Sequence, residues 1–210
     1  MLDKHLVPRL RPVLARAASA LHARGIGADA VTVAGFVIGL AAVAAVASDA
    51  TMLALVLLLI GRAADGLDGE LARIDGSTDA GAFLDIVLDF IFYALFPVGF
   101  AILDPASNAL PAAVLVASFV GTGASFLAFA GQADRHGVER VQFEYKGLTY
   151  IDGLAEGTET IAAFALMCLL PQSFAVIAWV FAAICVVTAA NRVVSGYRTL
   201  QRASASRRSR

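Results

Sequence analysis

Six apolar runs separated by short polar breaks dominate this chain, at about 31–47, 51–71, 80–103, 109–131, 154–171 and 174–197. The first is short, and its ends extend into Ala28–Ala30 and Ser48. A bilayer-spanning helix needs roughly 20 predominantly apolar residues. Runs such as MLALVLLLIG (52–61) are apolar all round rather than striped, which argues against the surface helices of a soluble bundle. The pattern predicts an all-α integral membrane protein with six transmembrane helices.

Ahead of the first run, LDKHLVPRLRPVLARAASALHAR (2–24) mixes Leu, Val and Ala with Arg and Lys. It predicts an amphipathic helix lying along the membrane surface and attracted to anionic headgroups. Pro8 and Pro12 are expected to confine regular helix to the part after Val13. The tail QRASASRRSR is polar and basic and reads as disordered. The expected organisation is a cytoplasmic amphipathic segment (1–30), a six-helix transmembrane domain (31–197) and a basic cytoplasmic tail (198–210).

Composition supports the membrane assignment. The chain is 59% hydrophobic and only 16% charged, with a mean hydropathy of +0.77, outside the range of ordinary soluble domains. Nothing in it reads as a cleaved signal, because the first apolar run follows a basic lead and opens on no soluble domain. The net charge of −1 conceals a segregation of sign. Lys4, Arg9, Arg11, Arg16 and Arg24 precede the first run; Arg73 lies in the second break, with Arg62 just before it; Arg135, Arg140 and Lys146 fill the fourth. Arg192, Arg198, Arg202, Arg207, Arg208 and Arg210 close the chain, while the breaks around SDAT, DPASN and PQS hold no basic residue. With six spans every basic residue lies on one side, so both termini are expected in the cytoplasm. Cys168 and Cys185 fall inside apolar runs and read as small buried hydrophobes. Gly35 and Gly39, and Gly121, Gly123 and Ser125, read as positions of close helix packing.

One stretch breaks the apolar pattern. DGLDGELARIDGSTDAGAFLDIVLD (65–89) carries six aspartates and Glu70 between two spanning runs. Asp65 and Asp68 are three apart at the cytoplasmic end of the second run, and Asp85 and Asp89 are four apart in the third; each pair shares a helix face. The two runs are consecutive and joined by a short loop, so the pairs can meet. Carboxylates at membrane depth need positive charge, and Arg62 and Arg73 are too few to supply it. Mg²⁺ and Mn²⁺ prefer carboxylate oxygens, and two such ions can clamp the oxygens of a phosphoryl displacement. The competing reading is a proton or cation pathway, as in a divalent-cation transporter. Against it, the acids lie toward one face, and the fourth and sixth runs contain no Asp or Glu.

The pattern Asp65-x-x-Asp68-Gly69-x-x-Ala72-Arg73, followed after seven residues by Gly81-x-x-x-Asp85-x-x-x-Asp89, resembles the CDP-alcohol phosphotransferase signature at all eight specified positions. The resemblance implies that Asp65, Asp68, Asp85 and Asp89 hold two divalent ions, Mg²⁺ or Mn²⁺. It makes Asp89 the general base toward the acceptor hydroxyl, with Arg73 spreading charge as CMP leaves. Gly69 and Gly81 would let the nucleotide approach the backbone closely. Upstream, GIGADAVTVAG is similar to the family's Pro-Asn-x-x-Thr-x-x-Gly lead into the first span; Thr32 and Gly35 match, whereas Ala28 and Asp29 replace Pro and Asn. Thr32 is therefore a candidate nucleotide contact, with a purely structural helix role as the alternative. Asp75 and Asp79 read as solvated or helix-capping charge. The expected donor is CDP-diacylglycerol, with a hydroxyl acceptor, phospholipid biosynthesis as the setting and a homodimer as the assembly. No nucleic-acid partner is expected. A soluble CDP-alcohol reacting with diacylglycerol would use the same motif.

The acceptor is less legible. FEYKGLTYIDGLAEGTET (143–160) places Glu156, Glu159 and Thr160 at the start of the fifth span, with Lys146, Arg135, Arg140 and Arg192 as basic candidates. Acids at a helix N-terminus also complement its dipole. Relatives that take phosphorylated acceptors rely on basic residues in that region, so Glu156 and Glu159 lean toward an amine-bearing or neutral alcohol. GTGASFLAFA, GLAEGTET and MLDKHLVPRL together are similar to a bacterial inner-membrane subgroup of the family, which implies that membrane as the location.

Overall fold

The computed structural model describes residues 3–136 and 157–208. Among these the chain folds into seven α-helices and no strand: α1 (Asp3–His22), α2 (Ala28–Ala47), α3 (Thr51–Asp75), α4 (Asp79–Leu103), α5 (Pro105–His136), α6 (Gly157–Leu169) and α7 (Phe174–Arg208), with a 3₁₀ turn at Pro171–Ser173 before the last. Helices α2 to α7 fall on the six apolar runs. Four stretches are long and apolar enough to cross a membrane: Ala28–Ala47, Asp79–Leu103, Pro105–Ala133 and Pro171–Ala203. The other two differ for physical reasons. Arg62, Asp65 and Asp68 interrupt the apolar surface of α3, and α6 has only 13 described residues.

Two sequence expectations are corrected. Helix α1 begins at Asp3, not after Val13, and runs through both Pro8 and Pro12. Each proline removes one backbone N–H bond, which does not end the helix here. At the other end, α7 continues through the basic tail to Arg208 instead of dissolving into disorder. Residues 198–208 contain neither Gly nor Pro, and Arg, Gln, Leu and Ala are good helix formers.

The core is aromatic. Phe96 stacks on Phe164 with centroids 4.4 Å apart, joining α4 to α6, and Phe100 stacks on Phe174 at 4.5 Å, joining α4 to α7. Phe92 meets Phe96 and Phe164 edge-on. Cys168 and Cys185 are free thiols buried in the same core, as the apolar reading expected.

Small residues set the spacing of the helices that carry the acids. A Cβ on Gly35 would lie 3.1 Å from the Ala64 Cβ, and one on Gly39 would lie 2.8 Å from the Phe92 ring. Helix α2 is thereby pressed against both α3 and α4. Gly123 does the same for α5, where a Cβ would meet the Phe90 ring at 2.3 Å. The turn between α3 and α4 is sharp because Gly76 takes φ +91°, a conformation that L side chains rarely adopt. Thr78 then caps α4, its hydroxyl accepting from the Gly81 N–H at 3.0 Å. Helix α1 docks on the polar end of α3, with Ala18 and Leu71 fully buried beside Val31, and Leu14 filling the space left by Gly66.

Candidate metal centre

Residues 58–68 of α3 and 85–92 of α4 face one another across residues 32–39 of α2. They line a cleft between the three helices. Thr32, Gly35, Phe36 and Gly39 line it from α2; Leu58, Gly61, Arg62, Asp65 and Asp68 from α3; Asp85, Leu88, Asp89 and Phe92 from α4. Its lining combines apolar residues with four aspartates and one arginine. The helical spacings of the two aspartate pairs place all four carboxylates in this one space.

Asp65, Asp68 and Asp85 each offer a carboxylate oxygen, and these atoms lie within 4.8 Å of one another. Three hard oxygen donors this close suit Mg²⁺ or Mn²⁺, so the residues fit the divalent metal that the motif implies. Asp68 is the most buried of the three, at 6% exposure. The Thr32 hydroxyl lies 2.6 Å from Asp68 Oδ2 and 3.1 Å from the Ala28 carbonyl. It carries one proton, and the shorter approach to a carboxylate is the stronger claim on it.

Asp89 stands apart from that triad. Its Oδ1 accepts from Arg62 Nη2 at 3.0 Å, and Arg62 Nη1 lies 3.4 Å from Asp65 Oδ2. The guanidinium rests against the rings of Phe92 and Tyr93, at 5.4 and 5.8 Å from their centroids.

Arg73, Gly69 and Gly81 lie outside the cleft lining. Arg73 pairs with Glu70, whose Oε1 also meets Arg11 Nε of α1 at 3.3 Å. Glu70 is buried, at 7% exposure. A Cβ on Gly69 would meet nothing within 4 Å, so its backbone is open to a ligand, whereas one on Gly81 would lie 2.9 Å from Asp29 Oδ1. The absence of a side chain at Gly81 thus accommodates Asp29. Asp75 pairs with His22 Nδ1 at 2.6 Å. Asp79 lies exposed in the first turn of α4, where Thr78 provides the cap.

Glu159 and Arg192, two acceptor candidates within the described residues, do not line the cleft. Lys146, Arg140 and Glu156 lie outside the described residues. Glu159 sits half-buried in the first turn of α6, next to buried Thr160. Arg192 is buried in α7 against α5, its Nη1 donating to the Thr122 carbonyl at 3.3 Å and its guanidinium 5.7 Å from the Phe126 centroid. It does not line the cleft. Sequence reasoning missed the parts played by Arg62 and Glu70. Arg62 had a legible signal, since three residues before Asp65 is the same helix face.

Comparison with known proteins places the chain in a family. The sequence model of the CDP-alcohol phosphatidyltransferase family matches residues 26–190. Inner membrane protein YnjF of Escherichia coli (strain K12) is 49% identical over 201 residues, covering 96% of this chain and 98% of the relative. In fold, the chain is similar to the phosphatidylinositol phosphate synthase PgsA1 of Mycobacterium tuberculosis solved with CDP-DAG bound. That match has a TM-score of 0.66 at 20% identity and covers 89% of this chain and 94% of the other. The same synthase in complex with manganese and citrate matches with a TM-score of 0.65 at 20% identity, over 88% of each chain. The eight-position motif, the acidic cleft between α3 and α4 and the matched span of 26–190 lead to one assignment: this chain belongs to the CDP-alcohol phosphatidyltransferase family.

Proposed function

We propose that the chain is a metal-dependent phosphatidyltransferase of phospholipid biosynthesis, which moves the phosphatidyl group of CDP-diacylglycerol to an alcohol and releases CMP. The observation that carries this reading is the convergence of Asp65, Asp68 and Asp85 within 4.8 Å at a cleft shared by three helices. Support for the donor comes from the PgsA1 structure that holds CDP-DAG, and support for the metal from the one in complex with manganese.

In this scheme Asp65, Asp68, Asp85 and Asp89 would hold two divalent ions, which when bound would supply charge neutralisation and Lewis-acid polarisation at the donor's pyrophosphate. The rest is done by the chain. Thr32 fixes the orientation of Asp68. The open backbone at Gly69 gives the nucleotide its approach, and Arg73 takes charge from the departing phosphate. Asp89 accepts the proton of the acceptor hydroxyl as its oxygen bonds to phosphorus and the bond to CMP breaks. Positioning and electrostatics are the main requirements of such a transfer.

All six helices α2 to α7 cross the membrane in this reading, including the charged α3 and the short α6. Both termini and the cleft face the cytoplasm, on the side of every basic residue. Helix α1 lies at the inner surface, and two chains pair as a homodimer. Glu159 and Arg192, with Glu156 and Lys146, contribute to acceptor choice, and the acids favour a neutral or amine-bearing alcohol. The test is CMP release: purified protein with CDP-diacylglycerol, Mg²⁺ or Mn²⁺ and a panel of alcohols should liberate CMP with at least one acceptor. Failure across the panel in folded protein would reject the reading.

A further inference from the structure

Arg62 reaches into the cleft one helical turn before Asp65, and it holds one carboxylate on each side. Its Nη2 binds Asp89 Oδ1 on α4 at 3.0 Å, and its Nη1 lies 3.4 Å from both Asp65 Oδ2 on α3 and the Tyr93 hydroxyl. Phe92 and Tyr93 back the guanidinium with their rings, an arrangement that favours a cation. Arginine keeps its charge at every physiological pH. The acidic cluster therefore contains a permanent positive group placed where a second ion would need oxygens.

We infer that Arg62 is a built-in cation on the Asp89 side of the cluster. The resting protein then takes one divalent ion tightly, at Asp65, Asp68 and Asp85, and a second only when Arg62 gives up Asp89. This rests on the reading of the cleft as a divalent-metal site. The charges support the order. Four carboxylates carry −4, and one divalent ion with Arg62 brings +3, which leaves −1. A second ion with Arg62 still present would make the cluster +1, with three cations competing for the same oxygens. A pyrophosphate-bearing donor supplies the negative charge that offsets this excess. Arg62 would thereby link occupancy of the Asp89 side to arrival of the donor, so that Asp89 passes from Arg62 to the second ion when substrate is present.

The experiment is a Mn²⁺ titration of the purified full-length protein in detergent without nucleotide, followed by loss of the free-ion electron paramagnetic resonance signal. The wild type should bind one ion, with a second roughly tenfold or more weaker. Arg62→Gln, verified as folded by gel filtration, should narrow that gap by about tenfold. Arg62→Lys, a point charge without the planar fork, should fall between the two. Two equivalent ions in the wild type would overturn the proposal, and that result needs no variant. An unchanged second affinity in folded Arg62→Gln would overturn it as well. CMP release is read separately, so its absence would count against the assigned reaction and not against the role of Arg62.

Discussion

The Thr32 hydroxyl sits 2.6 Å from Asp68 Oδ2, joining the first long apolar helix to the acidic end of the next. A hydrogen bond to a charged group contributes about 1.5–3 kcal/mol, and this one also fixes which way Asp68 faces. Thr32→Val should weaken Mn²⁺ binding roughly tenfold or more, while Thr32→Ser should retain most of the affinity. Equal affinities in both variants would make Thr32 a bystander.

Glu70 links α1 to the motif. Buried between Arg11 and Arg73, it holds the arginine assigned to the donor's phosphates. Glu70→Gln should raise the KM for the CDP donor by roughly tenfold and change kcat less, because Arg73 remains but loses its fixed position. Arg11→Ala should do less, since its side chain is 52% exposed and such pairs contribute at most about 1 kcal/mol. Initial-rate kinetics over a range of donor concentrations separate these outcomes.

The glycines differ in what surrounds them, and their substitutions should differ accordingly. A Cβ on Gly99 would lie 3.0 Å from the Val43 carbonyl oxygen and 3.1 Å from the Val46 Cβ, so α2 and α4 must part to admit it. Overpacking of this kind costs about 1–3 kcal/mol. Gly99→Val should lower the thermal midpoint in detergent by several degrees, at roughly 2–4 °C per kcal/mol for a chain of this size. Gly69→Ala, with open space around it, should leave the midpoint unchanged yet raise the KM for the nucleotide donor.

At the far end of the bundle, Asp104 starts α5, its Oδ1 accepting from the Ser107 N–H at 3.2 Å. Hydrogen bonding from Ser107, side chain first and then backbone, holds this carboxyl below its ordinary value. A depressed carboxyl contributes stability that is present above its unfolded pKa and is lost as pH falls through the lower folded one. The wild type should therefore lose a small part of its stability as pH drops below about 4. Asp104→Ala should show a flatter profile over that window, and parallel thermal-melt profiles for the two proteins would contradict the assignment.

The sequence made the acidic cleft legible because helical spacing is a local rule: acids three and four apart share a face, and a short loop brings consecutive helices together. The six helices followed from apolar runs for the same reason. What escaped it depends on distances between helices. Arg62 counted only as a nearby cation, and the contact with Asp89 that separates this acid from the other three depends on how α3 and α4 are rotated. The part played by Glu70 was not legible because its burial comes from the docking of α1, which no spacing encodes. Pro8 and Pro12 argued for a late start to α1, and a polar composition argued for a loose tail. In both places the helix simply continued, since neither two isolated prolines nor a run of Arg, Ser and Ala is enough to end one. At Gly81 the missing side chain makes room for Asp29, a packing relationship between α2 and α4 that spacing does not encode.

The central claim is that the carboxylates of α3 and α4 form one metal-dependent transfer site. Its most direct test is CMP release by protein reconstituted in vesicles containing CDP-diacylglycerol and the best acceptor of the panel, compared with Asp85→Asn, with chelator added and divalent ion then restored. Release by the wild type should stop with chelator and return with Mg²⁺ or Mn²⁺, and folded Asp85→Asn should lose at least about a hundredfold of the rate, on the scale of removing one electrostatic stabiliser. Release that persists in chelator, or in Asp85→Asn at the wild-type rate, would contradict the account.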